Sequence, residues 1–207
     1  MEKSKPLPNY LVQRFYGWRA TTFADNKAWY RRLAESGQHP RAMVISCCDS
    51  RVHVTSIFGA DEGEFFIHRN IASLVPAYSP DGEPHGTSAA VEYAVQALKV
   101  AHIVVLGHSN CGGCAACLYP EGKLDDLPHT RKWLELIHPV RDRVLKEIPE
   151  SDPEARAWMM EQGNVLEQLK HLISHPYIAE RMEADKLQIS GWHYIIETGE
   201  IFIYDPN

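Results

Sequence analysis

The 207-residue chain has no apolar stretch approaching the ~20 residues that a membrane-spanning helix needs, so no membrane partner is expected. It has no basic block either. Its 21 Lys and Arg are outnumbered by 27 Asp and Glu and mixed among them, for a net charge of −6. Nothing gathers positive charge for a phosphate backbone, which argues against nucleic acid as a partner. Internal repeats and low-complexity segments are also missing. Met1 to Pro6 lacks the apolar core of a secretory signal, which sets a cytoplasmic location as the expectation. Cysteine is scarce and odd in number: Cys47, Cys48, Cys111, Cys114 and Cys117 lie at only two places. A disulfide scaffold spreads its cysteines along a short chain, so this pattern points to an intracellular metal or thiol site.

The bulk of the sequence suits an ordinary globular protein. Its hydrophobic fraction of 44% is typical, and the chain is long enough to bury a core without staples. Residues 1–40 form a helical arm by periodicity, with Tyr10, Leu11, Phe15 and Trp18 at helical spacing. A second helix is expected from about Asp25 to Glu35, with Asp25 as N-cap and Gly37 as stop. The aromatic load of this arm suits either cover for its own domain or contact with a second subunit; periodicity does not choose between them.

Residues 41–207 form the expected main domain. Ala42 to Ser46, Phe65 to His68 and His102 to Gly107 are strand-like apolar runs, with a helix from Thr87 to Leu98 before the third. That order predicts an α/β fold with a mostly parallel central β-sheet flanked by helices. Helices are expected from Thr130 to His138, from Asp152-Pro153 to about His171, and from His175-Pro176 onward. Leu187 to Tyr204 has the form of a C-terminal β-hairpin.

The chemistry gathers at two strand ends. Cys47 closes the first strand and opens Cys47-Cys48-Asp49-Ser50-Arg51; His108 closes the third and opens His108-Ser109-Asn110-Cys111-Gly112-Gly113. Ligands in open parallel sheets bind beyond the carboxyl ends of the strands, so both side chains can emerge on one rim. Cys47, His108 and Cys111 offer three protein ligands, the number a catalytic zinc keeps when one position stays open. Asp49 lies two residues after Cys47 and points the same way if the strand continues. There it could accept a hydrogen bond from water at the metal or coordinate zinc as a fourth ligand. Arg51 could pair with Asp49 and decide between the two. Gly112-Gly113 suggests a tight turn before a helix. Cys48 is expected on the buried side of its strand, and Cys114 and Cys117 along one packed helix face. Each half alone would suit a buried thiol or a local ion pair; the combination favours zinc.

These residues closely resemble the β-class carbonic anhydrases. The likeness is carried by Cys47-x-Asp49-Ser50-Arg51, His68-Arg69-Asn70-Ile71-Ala72, Gly86-Thr87 with Glu92-Tyr93-Ala94-Val95, and Gly107-His108-x-x-Cys111-Gly112-Gly113. It implies one Zn2+ per chain held by Cys47, His108 and Cys111, and reversible hydration of CO2 to bicarbonate and a proton. It also implies a catalytic dyad of Asp49 and Arg51. The N-terminal arm would embrace a second copy, giving a homodimer or a larger assembly such as a tetramer. Gln38, nine residues before Cys47, and Tyr93, fifteen before His108, resemble the plant-like subtype. Gln38, Phe66, Ile71, Tyr93 and Gly112 are the implied substrate-binding residues. Val44 stands where a second subtype carries a tryptophan of an inhibitory bicarbonate site, so no such site is expected. Other outcomes remain open: hydrolysis of a CO2 analogue such as carbonyl sulfide or carbon disulfide, bicarbonate binding without catalysis, or iron–sulfur or thiol-redox chemistry at Cys111, Cys114 and Cys117.

Overall fold

The computed structural model describes residues 7–80 and 85–204; Met1 to Pro6, inspected above for a leader, lies outside the described residues. The chain divides into two compact units, Met1–His39 and Pro40–Asn207.

The first unit contains α1 (Asn9–Ala20), α2 (Thr22–Asp25) and α3 (Lys27–Ser36). Asp25 closes α2, and it is Asn26 that precedes α3, so the expected cap is displaced by one residue. Gly37 takes a positive φ of 71° after α3 and stops the helix, as a residue without Cβ does most easily. Trp18 meets Phe23 at a tilt and Tyr30 edge to face, at ring-centroid distances of 5.4 and 5.8 Å. Among the described residues of these helices none is buried.

The second unit is built on a five-stranded sheet of order β2-β1-β3-β4-β5. The strands are β1 (Ala42–Cys47), β2 (Phe65–Asn70), β3 (His102–His108), β4 (Gln188–Tyr194) and β5 (Ile201–Tyr204). The first four are parallel, and β5 turns back antiparallel on β4, the mostly parallel sheet and terminal hairpin expected from the sequence. Every residue of β1 is buried because both faces are covered. Met43 and Ile45 join a core cluster with Val91, Leu169 and Leu172, while Val44 joins another with Val52, Val54 and Leu106. This two-sided burial explains the uninterrupted apolar run.

Helix α4 (Val54–Phe58) joins β1 to β2, and α5 (Gly86–Glu92) precedes β3. The helix expected to reach Leu98 instead passes into a π turn over Tyr93–Ala97, where the Leu98 N–H donates to the Tyr93 carbonyl at 3.0 Å. Five helices lie between β3 and β4: α6 (Gly112–Cys117), α7 (Pro128–Leu134), α8 (His138–Glu147), α9 (Pro153–Ile173) and α10 (Pro176–Glu183). The single helix expected from Thr130 to His138 is two, α7 and α8, separated by a 3₁₀ turn at Glu135–Ile137. Pro139 explains the break: it has no N–H to donate, and its ring clashes with the carbonyl four residues earlier. Asp152 caps α9 as expected, its Oδ1 accepting from the Ala155 N–H at 3.0 Å.

Candidate active site

β1 and β3 are neighbours in register, so their carboxyl ends deliver Cys47 and His108 side by side. Beyond His108 the chain turns through Asn110, which holds a positive φ of 55°. The turn was expected from Gly112-Gly113, but Asn110 carries it. Asparagine tolerates this left-handed backbone better than most residues. Cys111 follows as the residue that opens α6. The two thiol sulfurs and the imidazole lie within 4.8 Å of one another, and all three residues are buried.

The donors fit a soft divalent metal. His108 Nδ1 lies 2.9 Å from the Ser109 carbonyl, which places the N–H there and leaves Nε2 as the lone pair. That Nε2 is buried and has no hydrogen-bond partner among the described residues. Hydrogen bonding with Cys111, reinforced by burial, pushes the Cys47 thiol up to about 12. Cys111, a free thiol hydrogen-bonded to Cys114 and buried, is also pushed up to about 12. Thiols so reluctant to ionise need a cation to balance them as thiolates. A two-sulfur, one-nitrogen set is what zinc accepts with a fourth position open.

Asp49 reaches this site by a route different from the one its spacing suggested. The strand ends at Cys47, so simple alternation does not orient Asp49. A fork from Arg51 does: its Nε donates to Oδ1 at 2.9 Å and a terminal nitrogen to Oδ2 at 2.7 Å. The Arg51 backbone N–H adds a third bond to Oδ1 at 2.9 Å. The guanidinium also donates to the Asn110 carbonyl at 3.0 Å, tying the two motifs together. Asp49 Oδ2 then sits 4.0 Å from His108 Nε2. The Arg51 guanidinium holds the Asp49 carboxyl well below the usual carboxylate range.

Arg69 has no role assigned by the sequence, yet it braces the loop. Its Nε donates to the Cys47 carbonyl at 2.9 Å, and one terminal nitrogen to the carbonyls of Asp49 and Val52, both at 2.8 Å. Glu197, from the distant hairpin, likewise holds the other motif, accepting from Ser109 Oγ at 3.0 Å and Asn110 Nδ2 at 2.5 Å. Arg69 lies inside a quoted motif, the only signal that could have found it; nothing near Glu197 in sequence points to the site.

The implied substrate residues are distributed. Phe66 and Tyr93 form a ring pair at 5.9 Å, with Tyr93 exposed at the start of the π turn. Ile71 is exposed beside a cleft of 420 Å³ that it lines with Cys48, Asn70, His129, Thr130 and Trp133. Gln38 is exposed in the first unit. A Cβ on Gly112 would meet nothing within 4 Å, whereas one on Gly113 would lie 2.8 Å from Ala72 Cβ. Gly113 is therefore the glycine that close packing requires. Cys114 and Cys117 are buried as expected, but Cys48 is exposed. β1 has ended before it, so strand alternation no longer decides its side.

Such a site at the rim of such a sheet defines a metal-dependent α/β enzyme, and the comparisons name its family. Residues 42–201 match the family model described as carbonic anhydrase. A carbonic anhydrase of Helicobacter pylori is 34% identical over 201 residues, covering 94% of this chain and 90% of that one. The solved β-carbonic anhydrase CcaA superposes with a TM-score of 0.90 at 33% identity, covering 95% of this chain and 87% of that one. A structure from a study of two tetrameric β-carbonic anhydrases of the filamentous ascomycete Sordaria macrospora has a TM-score of 0.78 at 33% identity, over 94% and 95% of the two chains. The chain belongs to the β-carbonic anhydrase family, a class of zinc-dependent lyases.

Proposed function

We propose that this protein hydrates CO2 reversibly to bicarbonate and a proton at a zinc ion held by Cys47, His108 and Cys111. The observation that carries the reading is the buried Cys-His-Cys triad with a carboxylate, Asp49, pinned beside it by Arg51. When bound, zinc supplies Lewis acidity that lets water lose a proton near neutral pH. The protein's own groups supply the rest. Asp49, kept ionised and held by Arg51, accepts the hydrogen of the reacting water and aims its lone pair at carbon. Phe66, Ile71 and Tyr93 offer apolar surface suited to an uncharged, linear substrate. Gly112 leaves room at the start of α6, where a Cβ would meet no neighbour within 4 Å. Gln38 donates to the substrate oxygen that gains charge.

The same reading assigns the N-terminal arm to self-association. Tyr10, Phe15, Tyr16 and Trp18 are 61, 52, 57 and 40% exposed, a concentration of aromatic surface that a second copy would cover. The tetrameric Sordaria relatives support assembly beyond the single chain. Gln38, at the end of this arm, would then serve the site of the copy embraced.

Stopped-flow CO2 hydration tests the proposal on the wild type, Asp49→Asn and Cys111→Ser, each with its zinc content measured. The expected result is an active zinc-loaded wild type, a zinc-loaded but slow Asp49→Asn, and a zinc-poor Cys111→Ser. Zinc-loaded wild type that never hydrates CO2 from neutral to alkaline pH overturns it; carbonyl sulfide and carbon disulfide are then the substrates to assay.

A further inference from the structure

We infer that Glu161 is a positioning residue for the metal ligand Cys111, reaching it from the buried face of α9; the inference rests on the triad's being the metal site proposed above. Glu161 lies fifty residues beyond Cys111 in the sequence and is 6% exposed. Its Oε1 accepts the Cys111 backbone N–H at 3.0 Å, and its Oε2 lies 3.3 Å from His193 Nε2. His193 is fully buried on β4, directly opposite Gly107 of β3. One carboxylate therefore joins the rim of the sheet to the residue that opens α6. The segment between them, Gly107 to Cys111, carries two of the three triad members.

A buried carboxylate is costly unless its oxygens find donors, and here both oxygens face one. The Cys111 N–H is the last backbone donor before α6, and its direction sets where the Cys111 side chain leaves the chain. Fixing that N–H fixes the sulfur against Cys47 and His108. The rest of the α9 stripe has other targets: Gln168 accepts from the Val75 N–H at 2.7 Å, and Asn164 donates to the Ala72 carbonyl at 2.8 Å and to Cys114 Sγ at 3.6 Å. Those residues hold the wall segment that packs on Gly113. Glu161 alone of the three touches a triad residue.

The test separates the acceptor from the charge. Glu161→Gln keeps an oxygen for the Cys111 N–H without the charge. Glu161→Asp keeps the charge but withdraws the acceptor by one methylene, and Glu161→Leu removes both. Gln168→Leu serves as a control for a merely structural defect on the same helix face, since the Gln168 side chain bonds only Val75 and Asn164 among the described residues. The readouts are zinc affinity by competition with a chromophoric chelator, and the sulfur-to-metal charge-transfer bands of the cobalt-substituted protein. Glu161→Asp and Glu161→Leu should bind zinc about 10–100-fold more weakly, with altered cobalt bands. Glu161→Gln should stay near the wild type on both readouts, and Gln168→Leu should lower the melting temperature while leaving both unchanged. Wild-type affinity in Glu161→Asp, or a loss in Gln168→Leu as large as in the Glu161 variants, overturns the assignment. Weak binding by Glu161→Gln with normal binding by Glu161→Asp also overturns it, since charge and not position would then govern. Neither readout depends on CO2 turnover. Wild type that binds zinc without hydrating CO2 would remove the proposed reaction and leave this inference standing; wild type that binds no zinc would remove the metal site itself.

Discussion

Arg51 holds Asp49 through both carboxylate oxygens, at 2.9 and 2.7 Å, while Asp49 Oδ2 stands 4.0 Å from the free nitrogen of His108. A carboxylate this close to the triad has two uses, as a ligand or as an acceptor, and the fork fixes which way it faces: Oδ1 takes two of the Arg51 bonds and Oδ2 only one, so Oδ2 keeps a lone pair on the side of the triad. Because Arg51 also grips the Asn110 carbonyl, the fork responds to the position of the second motif.

Arg51→Ala should release Asp49 and reduce CO2 hydration about 10–100-fold, in the range found when partners of metal-site groups are removed. Zinc content should stay at the wild-type level, because among the described residues the Arg51 side chain hydrogen-bonds Asp49 and the Asn110 carbonyl and none of Cys47, His108 and Cys111. Stopped-flow rates beside metal analysis check this; an unaltered rate would show that the fork is not needed.

Arg69→Ala strips donors from the carbonyls of Cys47, Asp49 and Val52. Leaving partly buried acceptors unpaired should cost ~1–3 kcal/mol, seen as a lower urea midpoint. Arg69→Lys should recover little, because one ammonium cannot reproduce a planar fork over three acceptors. A Lys variant with the wild-type midpoint would show that charge alone suffices.

The two neighbouring glycines should respond differently to a methyl group. Gly113→Ala would place Cβ 2.8 Å from Ala72 Cβ and 3.0 Å from Ile71 Cγ2, so overpacking should cost ~1–3 kcal/mol. Gly112→Ala meets nothing within 4 Å and should leave stability within about 0.5 kcal/mol. If Gly112 makes room for substrate, its variant should instead lose turnover. Thermal melts and hydration rates on the pair distinguish packing from substrate space, and equal melting temperatures would refute the packing difference.

Alkaline stability should depend on Cys117. Burial pushes this thiol up to about 11 from its ordinary value of 9.0. Below pH 9 it is protonated in folded and unfolded chains alike. Between about 9 and 11 only the unfolded chain ionises, so folding loses stability as pH rises through that window. Denaturant unfolding of the zinc-loaded protein should therefore show a shallower decline with pH in Cys117→Ala than in the wild type. It is the slope that tests the linkage, since the truncation lowers the overall level; equal slopes would place the alkaline loss elsewhere.

Much of the fold is legible locally. The apolar run of β1, the proline-opened α9 and the terminal hairpin all follow from short-range pattern, because strand burial and helix capping are set by residues near in sequence. The break between α7 and α8 had a local sign in Pro139, one residue beyond the helix expected from Thr130 to His138. The exposure of Cys48 was misjudged because alternation was carried one residue past the end of the strand.

The sequence by itself determined which groups could do chemistry: two cysteines and a histidine at strand ends, with a carboxylate and a guanidinium two residues apart. Donor type and spacing are chemical facts that need no coordinates. Only the tertiary structure decided that Asp49 is aimed by Arg51 rather than by strand alternation. It also placed Arg69 on the backbone of the first motif, Glu161 on the backbone of the second and Glu197 on the side chains of the second. Glu161 and Glu197 lie 50 and 87 residues from the backbone and side chains they hold. Hydrogen bonds of that reach are made by the packing of α9 and the hairpin against the sheet, and no local pattern encodes them.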